Sequence, residues 1–161
     1  PIHIGMREQD KGQYDYGFEV QYAPTCCLLI NKQVFQDIGF MDEKYFVYFD
    51  DTDFFYRMYE DGRHKTYYCP DIKIYHKVGS LTQSFYRQGQ DNKVYRGHFF
   101  LKQNTKNHIY FLKKIGGVYA CLFIIWLFFK NNIRFLINPK ISKNFTTWML
   151  INKAYFEGVK M

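Results

Sequence analysis

From Asn92 to Met161 the sequence has one acidic side chain, Glu157, against twelve Lys and Arg. The first 91 residues show the opposite balance, 14 Asp and Glu against 10 Lys and Arg. The net charge of +7 therefore hides an acidic part followed by a strongly basic one. Such asymmetry points to an anionic partner for the basic part, a membrane lipid or a nucleic acid. No Cys-x-x-Cys pair occurs among Cys26, Cys27, Cys69 and Cys121, which argues against a zinc site or dithiol built on that spacing. Adjacent Cys26 and Cys27 would point to opposite faces of a strand, so buried thiols in a reducing compartment are expected. Neither Gly-x-Gly-x-x-Gly nor G-x-x-x-x-G-K is present. Nothing near Pro1 resembles a signal peptide, and the chain reads as a fragment or processed product. Internal repeats and low-complexity segments are also lacking. What is abundant is aromatic: 21% aromatic and 47% hydrophobic residues exclude intrinsic disorder, and 161 residues suffice for a domain with a core.

The pattern along the chain predicts an α/β organisation in two parts, residues 1–91 and 92–161. Pro1 to Tyr22 reads as an irregular lead-in, and Cys26 to Ile30 as a short buried strand. Asn31 is a candidate N-cap for a helix carrying Val34, Phe35 and Ile38 on one face, with Gly39 as its stop. An aromatic loop, Asp42 to Phe49, leads to a second helix starting between Asp50 and Asp53. Phe54, Phe55 and Met58 give that helix an apolar side and Gly62 ends it. Thr66 to Tyr68 reads as a strand, Pro70-Asp71 as a turn, and Ile72 to His76 as a second strand with Ile72, Ile74 and His76 on one face. From about Val94 aromatic and basic residues mix, and the second part is expected to be helical.

Asp50, Asp51 and Asp53 place three carboxylates within four residues. One or two fit a helix N-terminus, where Asp caps the chain and meets the helix dipole. Three together repel one another and raise at least one pKa, and a carboxylate made more basic in this way can act as a general base. The spacing alone leaves both readings open.

The stretch from Leu28 to Asp53 closely resembles the acceptor half of family 2 glycosyltransferases, nearest to bacterial rhamnosyltransferase-like and galactofuranosyltransferase-like members. Gly39, Asp42, Glu43 and Phe46 fill a "G-x-x-D-E-x-[FY]-F" loop, followed by an acidic pair, Asp50-Asp51, and then Asp53. The likeness continues through Arg57, Gly62, Tyr68-Cys69-Pro70-Asp71, Tyr75-His76-Lys77 and Gly79-Ser80. Upstream, Asp10, Gly12 and Gln13 resemble the "D-x-G-x-[YF]" lead-in. Downstream, Lys106-Asn107 is similar to a basic-Asn pair before an aromatic helix, and Ala154 and Gly158 to the family's closing segment. Thr25-Cys26 departs from the usual Gly-Ala at the strand start.

The resemblance implies the acceptor-side half of a GT-A fold, followed by C-terminal helices, and an inverting transfer from a nucleotide-sugar donor to a saccharide or lipid-linked acceptor in cell-surface polysaccharide synthesis. It makes Asp51 the catalytic base and Asp50 an acceptor-binding residue. Asp53 would support the loop or touch the acceptor, and His76, 25 residues after Asp51, would ligate a divalent Mn or Mg. The family's donor site, with its metal-binding Asp-x-Asp, belongs to an N-terminal half absent from this sequence, so transfer by this chain alone is not expected. A glycoside hydrolase also uses paired carboxylates, but these usually come from separate elements. A non-catalytic acceptor- or membrane-binding fragment is the remaining alternative.

Ile115 to Phe129 is a run of 15 residues without charge. As a helix it would be about 22 Å long, short of the roughly 30 Å hydrocarbon core. With lysines on both sides it reads as an interfacial segment on an anionic membrane surface; a core helix is the alternative, and a true span is the least expected of the three. The resemblance implies a peripheral place on the cytoplasmic face of the membrane. A long uncharged run is not expected of a nucleic-acid-binding surface.

Overall fold

The computed structural model describes residues 4–5, 8–75, 92–137 and 145–161, with the backbone alone for 92–96. The chain is mixed α/β and mostly helical, with five α-helices and a two-stranded sheet among the described residues. It divides into two compact units, Pro1–Glu43 with Asp50–Val78, and Lys44–Phe49 with Gly79–Met161.

The first unit holds β1 (Phe18–Val20), α1 (Lys32–Ile38), α2 (Asp50–Asp61) and β2 (Thr66–Tyr68). Asn31 caps α1 as its sequence position predicts: its side chain accepts the Gln33 N–H at 2.9 Å. Gly39 closes that helix at φ 78°, donating to the Phe35 carbonyl at 2.9 Å, a conformation glycine adopts without a Cβ penalty. Asp50 begins α2 and Gly62, at φ 69°, follows its end. Val34 from α1 and Phe54, Phe55 and Met58 from α2 form the core, with Leu28 and Ile30 packed against it. β1 and β2 pair antiparallel, Phe18 opposite Tyr68 and Val20 opposite Thr66.

Two expected strands do not form. The run Cys26 to Ile30 alternates as a strand would, with Leu28 and Ile30 inward and Leu29 101% exposed, yet it is not in a ladder. Ile72 to Tyr75 likewise follows its turn as irregular chain, and Ile72 and Ile74 are exposed rather than buried on a sheet face. Apolar alternation fixes which side chains turn inward, but a strand also needs a neighbour to take its N–H and C=O groups. The only sheet among the described residues is β1–β2. Conversely, β1 falls within the segment expected to be irregular. His76 lies outside the described residues. The cysteines depart from expectation as well: all four are free and exposed, not buried.

The second unit combines the 44–49 segment with α3 (Asn92–Ile115), α4 (Gly117–Ile137) and α5 (Phe145–Lys160). Gly116 and Gly117, at φ 70° and 78°, break the chain between α3 and α4. The 15-residue uncharged run is therefore not one helix. Ile115 closes α3, while α4 runs past Lys130 and Arg134 to Ile137 and is 21 residues long in all, about 31 Å. By length and composition α4 could cross a membrane, and almost none of its apolar stretch is buried.

α3 and α5 approach closely because α5 turns Ala154 and Gly158 inward, both buried. A Cβ on Gly158 would collide with the Lys106 carbonyl oxygen and lie 2.9 Å from the Ile109 Cβ. Gly97 in α3 has nothing within 4 Å of the same position. Alanine is favoured over glycine in a helix by about 1 kcal/mol. Gly97→Ala is therefore expected to stabilise by up to that amount. Gly158→Ala should instead destabilise by about 1–3 kcal/mol, because two helix backbones must separate. Urea titration of both variants distinguishes the two sites; equal gains would show that the α3–α5 approach is not tight.

Candidate active site at the start of the second helix

The first turn of α2 carries Asp50, Asp51 and Asp53. Its unsatisfied N–H groups and the positive end of the helix dipole favour carboxylates there. The three side chains nonetheless have different surroundings. Asp51 is partly buried: one carboxylate oxygen accepts the Thr52 N–H at 2.7 Å and the other accepts the Tyr22 hydroxyl at 2.5 Å. Burial first, and the bond to Asp51 second, hold the Tyr22 hydroxyl well above the ordinary phenol range, so Tyr22 remains a proton donor that orients Asp51. Asp50 is the carboxyl whose pKa is raised, first by burial and then by the neighbouring charge of Asp51.

Asp53 is 2% exposed, and its carboxylate accepts from Arg57 Nε at 2.9 Å, one helical turn on. Arg57 also donates through Nη1 to the Ile38 carbonyl and through Nη2 to the Phe40 carbonyl at 2.9 Å. The Asp53–Arg57 pair thus ties α2 to the chain leaving α1.

The segment preceding Asp50 is held within the second unit. Phe46, Tyr48 and Phe49 have φ values of 61°, 65° and 70°, in the left-handed region that aromatic residues seldom occupy. Each such residue costs on the order of 1–3 kcal/mol and persists only where its surroundings enforce it. Asn107 supplies that enforcement. Its side chain is fully buried, and its Nδ2 donates to the carbonyls of Tyr45, Val47 and Tyr48 at 2.8, 2.7 and 2.8 Å. Around it Tyr45 meets Tyr110, Tyr48 meets Phe100, and Phe49 stacks on His108, whose pKa burial lowers.

Among the described residues no three His, Cys, Asp or Glu side chains gather as a metal-binding set. Asp50 and Asp51 are two adjacent carboxylates, and His76 lies outside the described residues. The remaining described histidines are otherwise engaged: His64 pairs with Asp37 at 2.7 Å, and His98 meets Thr147 Oγ1 at 3.0 Å.

A cavity of about 1040 Å³ lies in the first unit, lined by Tyr22, Cys26, Leu28, Phe55, Met58 and His64 among others. Asp50 and Asp51 do not line it. Tyr22 does, and through its hydroxyl it connects that wall to Asp51.

Sequence reasoning alone did not single out Tyr22, because a tyrosine 29 residues before its partner leaves no spacing to read. The Asp53–Arg57 pair was open to it, since i and i+4 lie on one helix face. Asn107 was expected just before an aromatic helix; it lies inside α3, facing the 45–48 carbonyls. No protein-family model, curated protein or solved structure matches the chain.

Two predictions follow from this geometry. Asn107→Ala leaves buried carbonyls without a donor and should cost at least about 2 kcal/mol, at about 1–3 per unsatisfied group. Asn107→Asp should cost more, because it turns a carboxylate oxygen toward three carbonyl oxygens. Chemical denaturation at pH 7 checks the order, and Asn107→Asp proving the milder change would refute it. For Asp50, a raised carboxyl pKa means that the folded state favours the protonated form. That contribution is fully present below the ordinary value of 3.8 and is lost as pH rises through the raised value. Asp50→Asn should therefore raise the melting temperature at pH 7, and the gain should vanish by about pH 3. A gain that is constant with pH would assign the effect to something other than charge burial.

Proposed function

We propose that this chain is the acceptor-side part of an inverting family 2 glycosyltransferase, with a GT-A arrangement completed by a donor-binding half. One observation carries the reading beyond its sequence motifs. Asp50 and Asp51 open α2 side by side, partly buried, and Asp51 is oriented by a hydroxyl that keeps its proton.

In this reading Asp51 accepts the proton of an acceptor hydroxyl as that oxygen attacks the anomeric carbon of the donor sugar. The carbon–oxygen bond to the nucleoside diphosphate breaks in the same displacement, and the configuration inverts. A sugar hydroxyl is a weak acid, so a base fixed within hydrogen-bond reach matters more than a large pKa shift. Tyr22 occupies one Asp51 oxygen and so directs the other lone pairs. Asp50 binds a neighbouring acceptor hydroxyl. Asp53 and Arg57 tie the helix start to the chain leaving α1.

The nucleotide-sugar donor, the saccharide or lipid-linked acceptor and the Mn or Mg ion come from the resemblance alone. No step above runs through a cation. His76 would join the metal's ligands from the acceptor side.

The test uses a protein that carries this chain together with its donor half. Asp51→Asn should lower turnover by about 10²–10⁴-fold, the usual contribution of a general base, with donor affinity nearly unchanged by isothermal titration. Turnover within a few-fold of the parent would remove Asp51 from the role of base. Failure of the parent to bind any nucleotide sugar in the presence of manganese would end the transferase reading itself.

A further inference from the structure

Helix α4 has two unlike faces. Its inner stripe is engaged by α5. The Tyr155 hydroxyl donates to the Ile124 carbonyl at 3.0 Å, Phe128 meets the Tyr155 ring at 5.2 Å, and Phe135 stacks on Trp148 at 4.9 Å. Asn132 is the polar centre of this contact: its Nδ2 donates to Asn152 Oδ1 at 3.2 Å, and its Oδ1 accepts from Trp148 Nε1 at 2.9 Å. The outer face is exposed among the described residues. Val118, Leu122, Ile125, Trp126, Phe129 and Ile133 are each between 49% and 72% exposed. On α5, Phe145, Met149 and Phe156 are also exposed. Monomeric soluble proteins seldom leave this much contiguous apolar surface in water.

Charge selects the occupant. The sequence from Asn92 onward has twelve Lys and Arg against Glu157 alone. A second copy would bring the same positive charge to the same face and be repelled. An anionic lipid surface supplies both an apolar interior and negative headgroups. The outer face also marks its own depth. Lys130 Nζ sits 4.5 Å from the centre of the Trp126 ring, and Arg134 follows one turn later. Tryptophan and a cation at one level are suited to the headgroup boundary. The helix is long enough to cross, but its uncharged part, Gly117 to Phe129, is about 20 Å long, and Lys130 and Arg134 interrupt the rest, which suits a helix lying at the interface.

We propose that the outer face of α4 seats the protein on an anionic bilayer. The helix lies along the interface, its apolar side chains enter the acyl region, and Lys130 and Arg134 stay at the headgroups. The α5-facing stripe, with Asn132, remains on the protein side. This goes beyond the transfer reading and does not depend on it.

The experiment uses the 161-residue chain with vesicles of phosphatidylcholine, alone or mixed with phosphatidylglycerol. Flotation should show association with the mixed vesicles that weakens as salt rises. The double variant Lys130→Glu/Arg134→Glu should lower partitioning roughly ten-fold or more. Both positions are exposed, so unchanged far-ultraviolet circular dichroism is expected to accompany the loss. Depth is read with brominated lipid. A Trp148→Phe variant, which leaves Trp126 as reporter, should be strongly quenched. A Trp126→Phe variant, which leaves Trp148, should be quenched weakly. The proposal is overturned by no association with either vesicle, by association equal on neutral lipid and insensitive to charge reversal, or by equal quenching of both tryptophans, which would mean a helix that crosses. Lipid-free dimerisation that shields Trp126 from acrylamide would assign the face to a second copy and overturn it as well.

Discussion

Three backbone carbonyls converge on one buried amide. Asn107 donates to Tyr45, Val47 and Tyr48 from inside α3, and this contact holds three aromatic residues in a left-handed conformation they would not adopt alone. Phe49 is the last of them, and the next residue opens α2. Within the second unit, the conformation of the 45–49 segment is thus set by a side chain more than fifty residues downstream. The stored strain is local, and the aromatic contacts of Tyr45, Tyr48 and Phe49 with α3 oppose its release. Unsatisfied carbonyls in that interior would be costly, which is why the amide and the loop conformation belong together.

Within the first unit, two polar links separate the roles of three adjacent carboxylates. Tyr22 takes one oxygen of Asp51, and Arg57 takes Asp53 together with two carbonyls beyond α1. The burial that raises Asp50 is part of the same arrangement. A run of acids at a helix start would otherwise be three equivalent caps. Here one is pinned, one is oriented and one is partly desolvated, and this difference gives the proposed acceptor site its chemistry.

Local signals were legible where the physics is local. Asn31, Gly39 and Gly62 marked the ends of α1 and α2, because caps and left-handed stops act over a few residues. Phe54, Phe55 and Met58 marked the buried side of α2 through helical spacing. Strands were less legible: Cys26 to Ile30 has the inward and outward alternation without a partner, while the short β1 was hidden in a polar lead-in. The extent of α4 was also missed, since the absence of charge ended at Phe129 but helix propensity did not, and Gly116-Gly117 moved its start. Of the candidate site, the three aspartates could be read directly. Tyr22 and Asn107 could not be assigned their contacts, because both meet their partners only through tertiary folding.

The central claim is a single displacement in which Asp51 takes the acceptor proton. Stereochemistry tests it most directly. Proton nuclear magnetic resonance of the first-formed product, from a protein that joins this chain to its donor half, reports the anomeric configuration before any equilibration. The account predicts a configuration opposite to that of the donor sugar. Retention would require a second displacement or a different chemistry, and would contradict the role given to Asp51.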